Sequence, residues 1–289
     1  MGRMRAAVLQ RAAEMRRRAA WATYRALRRL ARPLGYHLVR ATYYSPIVDT
    51  GALPPATWTE PAPMPGVALD LDTQLRWLEA RLEPFAAPPG YDPDNQFYGM
   101  LDAAILQAVV RDSAPARILE IGAGHSTLVI AAALGPVARH SVVDPSPSPL
   151  LTRLEGRIEL RAASATDVPH DESAALPTGD VLFTDTTPTV RPHGDVTFLL
   201  LEALPALQPG VLVHIHDIYR PYEYPRALID DWGLHWQEHH LLQALLAFSD
   251  RFEIVLANHA LWRTRRAELE ALVPGAGRGA APSGFWLRA

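Results

Sequence analysis

The 289-residue sequence contains no cysteine, which excludes a disulfide scaffold, a thiolate-ligated zinc or iron–sulfur centre and a cysteine nucleophile. It contains no lysine either. All 28 basic residues are arginine, a uniformity that points to coding preference, since arginine is not demanded at every exposed site. No apolar run approaches the roughly 18 to 20 residues that a membrane-spanning helix needs, so an integral membrane protein is not expected. The N-terminus is basic but lacks the continuous apolar stretch and small-residue cleavage site of a secretory signal, which makes the cytoplasm the expected compartment. P-loop, G-x-S-x-G elbow and Cys/His ribbon motifs are all missing.

With 48% apolar residues, the chain can bury the core of one large domain with an appendage. Its near-neutral balance hides an asymmetry. Residues 1–40 hold eleven arginines and one acid, Glu14, for a local charge of +10, while the other 17 arginines and 30 acids leave −13 on the rest. Residues 3–32 lack Gly and Pro and are rich in Ala, Arg and Leu, so a long helix ending before Pro33 is expected. Val8, Ala12, Met15, Ala19 and Ala22 recur at helical spacing, while Arg11, Arg18 and Arg25 fall at sevens on another face. Trp21, Tyr24, Leu27 and Leu30 give the apolar side depth. Such a basic amphipathic helix over 1–40 is read either as a solvated helix or as a peripheral contact, through residues 1–32, with an anionic membrane or an acidic partner. Nucleic acid is not an expected partner, because the remaining body is acidic.

Residues 41–94 read as a proline-rich extended connector followed by a cap helix over 69–84, with Leu71, Leu75, Leu78 and Leu82 on one side. A further helix is expected over 98–111. Thereafter strand-like and helix-like patterns alternate: ARILEIG, a helix from 125, HSVVD, a helix near 148, IELRAA, DVLFTD, a helix from 195, GVLVHIHD, a helix from 239, FEIVLA and SGFWLRA. That alternation predicts an α/β fold over 95–289, a mostly parallel seven-stranded sheet covered on both faces. Only a short, loop-like 261–273 segment separates the final two strands, so the last is expected to be antiparallel.

The sharpest motif runs Ile118-Leu119-Glu120-Ile121-Gly122-Ala123-Gly124-His125-Ser126-Thr127, a strand entering a glycine bend that opens a helix. Glycines there let backbone approach a ligand, and the helix start offers free N–H groups. Glu120 at the strand end would repel a diphosphate, and Thr127 replaces the small third residue of the dinucleotide fingerprint. Asp144 ends the next strand, where an acid typically holds ribose hydroxyls. A nucleoside ligand without a diphosphate follows.

These residues resemble the class I S-adenosylmethionine-dependent methyltransferases. Glu120-Ile-Gly-Ala-Gly-His-Ser is similar to that family's first motif, Asp144 to its ribose-binding acid, Leu182-Phe-Thr-Asp185 to its acid-ended fourth strand, and Leu207-Gln-Pro-Gly-Val-Leu-Val to its turn into strand five. The resemblance implies a Rossmann-like doubly wound sheet with S-adenosylmethionine as cofactor. It implies that Glu120, Gly122 and Gly124, with Ser126 and Thr127 behind them, line the methionine and ribose part, that Asp144 binds the ribose, and that Asp167 lies near the adenine. Asn95, Tyr98 and Asp102 resemble a Y-G-x-x-D stretch of bacterial methyltransferases, which implies that Tyr98 covers the cofactor.

A second cluster, His214-Ile-His216-Asp217, ends strand five, the sheet edge where α/β proteins bind ligands. Period two separates Asp217 from His214 and His216 unless the strand stops near His216, as expected here. A histidine near pH 7 suits general-base work on a hydroxyl or amine acceptor, with an adjacent carboxylate orienting it. Catechol-type and macrolide-sugar O-methyltransferases, which this edge resembles, place acids on strands four and five, so Asp185, His216 and Asp217 read as catalytic residues or as ligands of a divalent ion, Mg or Mn. His235 and His239 could share a helix face with Glu238 and His240 beside them, and Tyr219, Tyr222, Tyr224, Trp232 and Trp236 read equally as a substrate wall or as packing. The expected function is methyl transfer to an O or N atom of a small molecule. The competing reading is an NAD-binding or non-catalytic Rossmann-like protein docked to a membrane by its N-terminal helix.

Overall fold

The computed structural model describes residues 2–289, except for the side chains of residues 2–9 and 12, so Val8 and Ala12 of the expected apolar stripe lie outside the described residues. The chain forms two compact units, Met1–Ala52 and Leu53–Ala289, a division that falls beyond the expected edge at residue 40.

In the first unit, the absence of Gly and Pro lets one helix run from Gly2 to Ala31 before Pro33 turns it into a 3-10 turn, Arg32–Leu34. Gly35 closes that turn in the left-handed region, φ 81°, and its N–H donates to the Arg32 carbonyl. The chain then folds back on the helix. The Tyr24 hydroxyl donates to the Leu38 carbonyl at 3.2 Å, and the Arg40 guanidinium lies 4.8 Å over the Trp21 ring.

The second unit is built on a seven-stranded sheet of order β3-β2-β1-β4-β5-β7-β6. The strands are β1 Arg117–Ile121, β2 Arg139–Val143, β3 Glu159–Arg161, β4 Val181–Thr184, β5 Leu212–Ile215, β6 Glu253–Ala257 and β7 Phe285–Arg288. Pairings from β3 through β5 are parallel, and β7 inserts antiparallel between β5 and β6. The sheet is therefore the Rossmann-like α/β arrangement, with its antiparallel strand one place in from the edge. Central strands are buried throughout because successive side chains feed two cores: Phe183 and Trp286 face one, Leu182 and Leu287 the other. Each such large apolar side chain contributes roughly 1.5–3 kcal/mol on burial.

Helices Leu71–Arg81 and Met100–Ser113 cover the first face, where Leu78, Leu101 and Ile105 are fully buried. Asp70 caps the former by accepting the Thr73 N–H at 3.0 Å. The segment 261–273, expected to be loop-like, instead contributes to the helices Asn258–Thr264 and Arg266–Leu272. Leu261 and Leu269 are buried by that geometry, which outweighs the polar composition of the stretch. The helix expected near 148 is a 3-10 turn, Pro149–Leu154, begun by Ser148 and its following proline.

Candidate active site

Crossovers diverge from β1 and β4 in opposite directions, which opens a crevice at the carboxyl ends of β1, β2 and β4. A cleft of about 240 Å³ lies there, lined by Gly122, Asp144, Ser164, Ala165, Asp185 and Thr187 among others. Gly122 has φ 89°, and a Cβ on it would meet the Asp185 carbonyl oxygen at 1.8 Å, so the bend presses directly onto the end of β4. At Gly124 a Cβ would meet nothing within 4 Å, so the missing side chain leaves open space beside the bend. The Asp144 carboxylate accepts the Ala123 N–H at 2.9 Å and the Ser146 N–H at 2.7 Å. One N–H on each oxygen leaves lone pairs free for ligand hydroxyls.

Glu120, Ser126, Thr127 and Asp167, expected to line this crevice, are placed elsewhere. Glu120 is fully enclosed: its Oε1 accepts from the Ser126 hydroxyl at 2.8 Å and the Thr127 hydroxyl at 3.0 Å, and its Oε2 lies 2.7 Å from His140 Nε2. Glu120, Ser126 and Thr127 therefore lock the bend to its helix and to β2 from beneath, because residue 120 points to the interior face of β1. Thr127 also accepts the Gly124 N–H at 3.0 Å, which fixes the helix start. Asp167 is exposed and accepts the Ser164 N–H at 3.1 Å, so Ser164 and Ala165 form the cleft wall while Asp167 braces their turn.

Tyr98 is likewise interior, not a cover. Its backbone is gripped by Asn95, whose Oδ1 accepts the Tyr98 N–H at 2.7 Å, and by the Tyr91 hydroxyl, which donates to the Tyr98 carbonyl at 2.9 Å. The ring then stacks on His216 at 4.8 Å, and its hydroxyl has no protein partner among the described residues. Burial, reinforced by the Asp102 and Asp185 carboxylates, holds that phenol well above its ordinary range.

β5 stops at Ile215, so His216 and Asp217 leave the strand pattern and converge on the end of β4; Asp217 adopts φ 59° to make that turn. The His216 Nε2 lies 3.2 Å from the Ser283 hydroxyl. Burial opposes charge on His216, yet the carboxylates of Asp185, Asp217 and Asp102 outweigh it and raise its pKa above the ordinary histidine value. Burial pushes Asp217 up to about 7 against the pull of His216, and raises Asp185 as well. His214 behaves oppositely. It is stacked on Phe183 at 4.2 Å and meets the tilted Trp286 ring at 4.6 Å, and burial keeps it neutral.

Asp185, His216 and Asp217 do not bring three ligand-type atoms within 4.8 Å of one another, so the expected divalent-ion geometry is not formed. Among the described residues the trio that does is Glu223, His239 and His240. There the Arg220 guanidinium already holds Glu223 Oε1 at 2.9 Å, and the two imidazoles and Arg220 keep that carboxyl well below its usual range despite partial burial. His235 lies ahead of the helix Glu238–Ala247 and does not share its face with His239. Tyr219, Tyr222 and Tyr224 are buried packing residues, the first 4.8 Å from His259 and the third stacked 3.7 Å on His239, while Trp232 points outward.

Sequence reasoning missed His140, Asp195 and Ser283. Asp195, in the cleft wall, follows Gly194 at a helix start and was legible as a capping position. The other two depend on register and on chain-distant contact, which no local pattern reports.

Residues 119–218, from within β1 to just past β5, match a family model described as a methyltransferase domain. No sequence among the curated proteins matches. In chain trace the protein is similar to an O-methyltransferase from Bacillus cereus in complex with SAH, at 17% identity and TM-score 0.42, covering 76% of this chain and 91% of that one. It is also similar to the SAH-bound methyltransferase PaMTH1 from Podospora anserina, at 16% identity and TM-score 0.43, covering 77% and 88%. A third is the O-methyltransferase TomG from Streptomyces achromogenes, involved in tomaymycin synthesis and solved with SAM, at 20% identity and TM-score 0.39, covering 76% and 90%. The acid-tipped glycine bend lies within the segment 119–218, which is similar to a methyltransferase domain.

Proposed function

We propose that the protein transfers a methyl group from S-adenosylmethionine to an oxygen, or a nitrogen, of a small-molecule acceptor, with His216 receiving the acceptor's proton. The observation that carries this reading is the fixed imidazole of His216, buttressed by Tyr98 and Ser283, at the sheet edge that also holds Asp185 of the cleft wall. When bound, the cofactor supplies the methyl carbon as a sulfonium and departs as the thioether.

Gly122 and the open space at Gly124 suit backbone-close binding of the methionine and ribose portion, and Asp144 has lone pairs for the ribose hydroxyls. Ser164 and Ala165 form the wall on the β3 side. Glu120 acts behind the site by holding the bend. His216 is buried next to Asp185 of the cleft wall, and an imidazole there can accept the proton released as the acceptor attacks. Asp185 and Asp217 stabilise the resulting imidazolium.

Isothermal titration with S-adenosylhomocysteine and with NAD tests the cofactor, and release of S-adenosylhomocysteine over a panel of hydroxylated and amine acceptors tests the chemistry. Binding of the former alone is expected. His216→Gln should leave that binding within about two-fold and slow turnover by roughly 10²–10⁴. Binding of NAD in place of the homocysteine product would sink the reading.

A further inference from the structure

The first unit carries a feature the reaction does not use. Among the described residues, twelve of the nineteen exposed large hydrophobics fall between Met15 and Val48. Leu30 and Leu34 are 71% and 74% exposed, and Tyr36 is 68% exposed. Apolar surface of that density on a soluble chain marks a contact surface. Beside it, Arg25, Arg28, Arg29 and Arg32 at the end of the helix Gly2–Ala31 join Tyr36 and His37 of the returning segment around a groove of about 190 Å³. Among the described residues, none of these four guanidiniums has a carboxylate partner, and the acid of that helix, Glu14, is taken by Arg18 at 2.6 Å.

We propose that this unit docks onto an anionic phospholipid surface, with headgroup phosphates in the four-arginine groove and Leu30, Leu34 and Tyr36 entering the interface. Guanidiniums match phosphate oxygens in bidentate geometry, and the neighbouring aliphatic and aromatic side chains supply the apolar insertion that charge alone does not. A nucleic-acid backbone would satisfy the arginines but leave the leucines in water, which is why a lipid surface is the occupant. Tyr24 and Arg40 hold the returning segment against the helix, so the groove is preformed in the free protein. The inference is independent of the methyl-transfer reading.

Co-sedimentation of the full chain with phosphatidylcholine vesicles, and with vesicles that also contain phosphatidylglycerol, tests it. Binding to the anionic vesicles alone is expected, weakened as salt rises from about 0.1 M to about 1 M and the screening length falls from ~10 Å to ~3 Å. Replacing Arg25, Arg28, Arg29 and Arg32 together by Gln should lower partitioning on the order of a hundred-fold or more. Leu30→Asp with Leu34→Asp should lower it as well, with circular dichroism reporting unchanged helix content for both variants. Equal binding to both vesicle types, no binding to either, full retention in the four-arginine variant, displacement by millimolar inorganic phosphate, or tighter binding to duplex DNA than to anionic vesicles would each overturn the proposal.

Discussion

At the residue scale, two glycines two positions apart are glycine for different reasons. Gly122 is required by the protein itself: its φ of 89° and the Asp185 carbonyl 1.8 Å from any Cβ leave no room for a side chain. Gly122→Ala should cost about 3 kcal/mol or more and lower the melting temperature visibly in calorimetry. Gly124 has open space, so Gly124→Ala should fold with stability within about 1 kcal/mol of the parent. If the cofactor occupies that space, as proposed, titration should show its affinity reduced by about ten-fold, since one methyl group then stands in its path. A normal affinity in the second variant would move the ligand away from the bend.

His216 gives the pH dependence. Its imidazole must be neutral to accept a proton, and Asp185, Asp217 and Asp102 raise its pKa, so the neutral fraction grows only as pH rises past the ordinary histidine value of about 6.5. The pH profile of kcat should therefore rise with a midpoint above that value. Removing one of the stabilising charges, in Asp185→Asn, should shift the midpoint down; a shift up would contradict the assignment of His216 as base.

At the element scale, the site depends on how β7 meets the helix Met100–Ser113. Asp102, buried in the first turn of that helix, accepts the Ser283 N–H at 2.9 Å, the Gly284 N–H at 3.2 Å and the Asn258 side-chain amide at 2.7 Å. Ser283 in turn reaches His216. Gly284 fits because a Cβ there would come within 2.8 Å of both Asn258 and the His214 ring. Asp102→Ala strips three buried donors of their acceptor, which should cost at least about 2 kcal/mol. The melting temperature should fall by about 5–10 °C, and Asp102→Asn, which keeps most of the geometry, should recover a large part of it. An unchanged melting temperature in Asp102→Ala would show that the anchor is not stabilising.

At the whole-molecule scale, the buried core is drawn from residues beyond 53, on both faces of one sheet, from Leu78 to Leu287. A chain of residues 53–289 should therefore fold with a melting temperature within about 3 °C of the full chain and bind S-adenosylhomocysteine equally well. Loss of cooperative melting in that chain would mean that the first unit is needed to complete the fold.

Alternating apolar segments, the glycine bend and the strand-ending acids were legible in the sequence, because each is a local pattern of a few residues. So were the long basic helix and its stop at Pro33. The inward roles of Glu120 and Tyr98 were not. The first is decided by pairing with His140 across the β1–β2 register, the second by stacking on His216, just past the end of a strand that lies more than a hundred residues later. The helicity of 258–272 was also hidden, since burial of Leu261 and Leu269 overrides a polar, arginine-rich composition.

By itself the sequence determined the succession of the seven strands, the glycine-lined bend and the charge asymmetry, all of which follow from spacing and composition along the chain. Only the tertiary structure decided which polar side chains face the cleft and which brace it from behind. Whether a carboxylate such as Glu120 meets a ligand or a buried hydroxyl depends on which face of the sheet it occupies and on neighbours that only folding brings within hydrogen-bond reach.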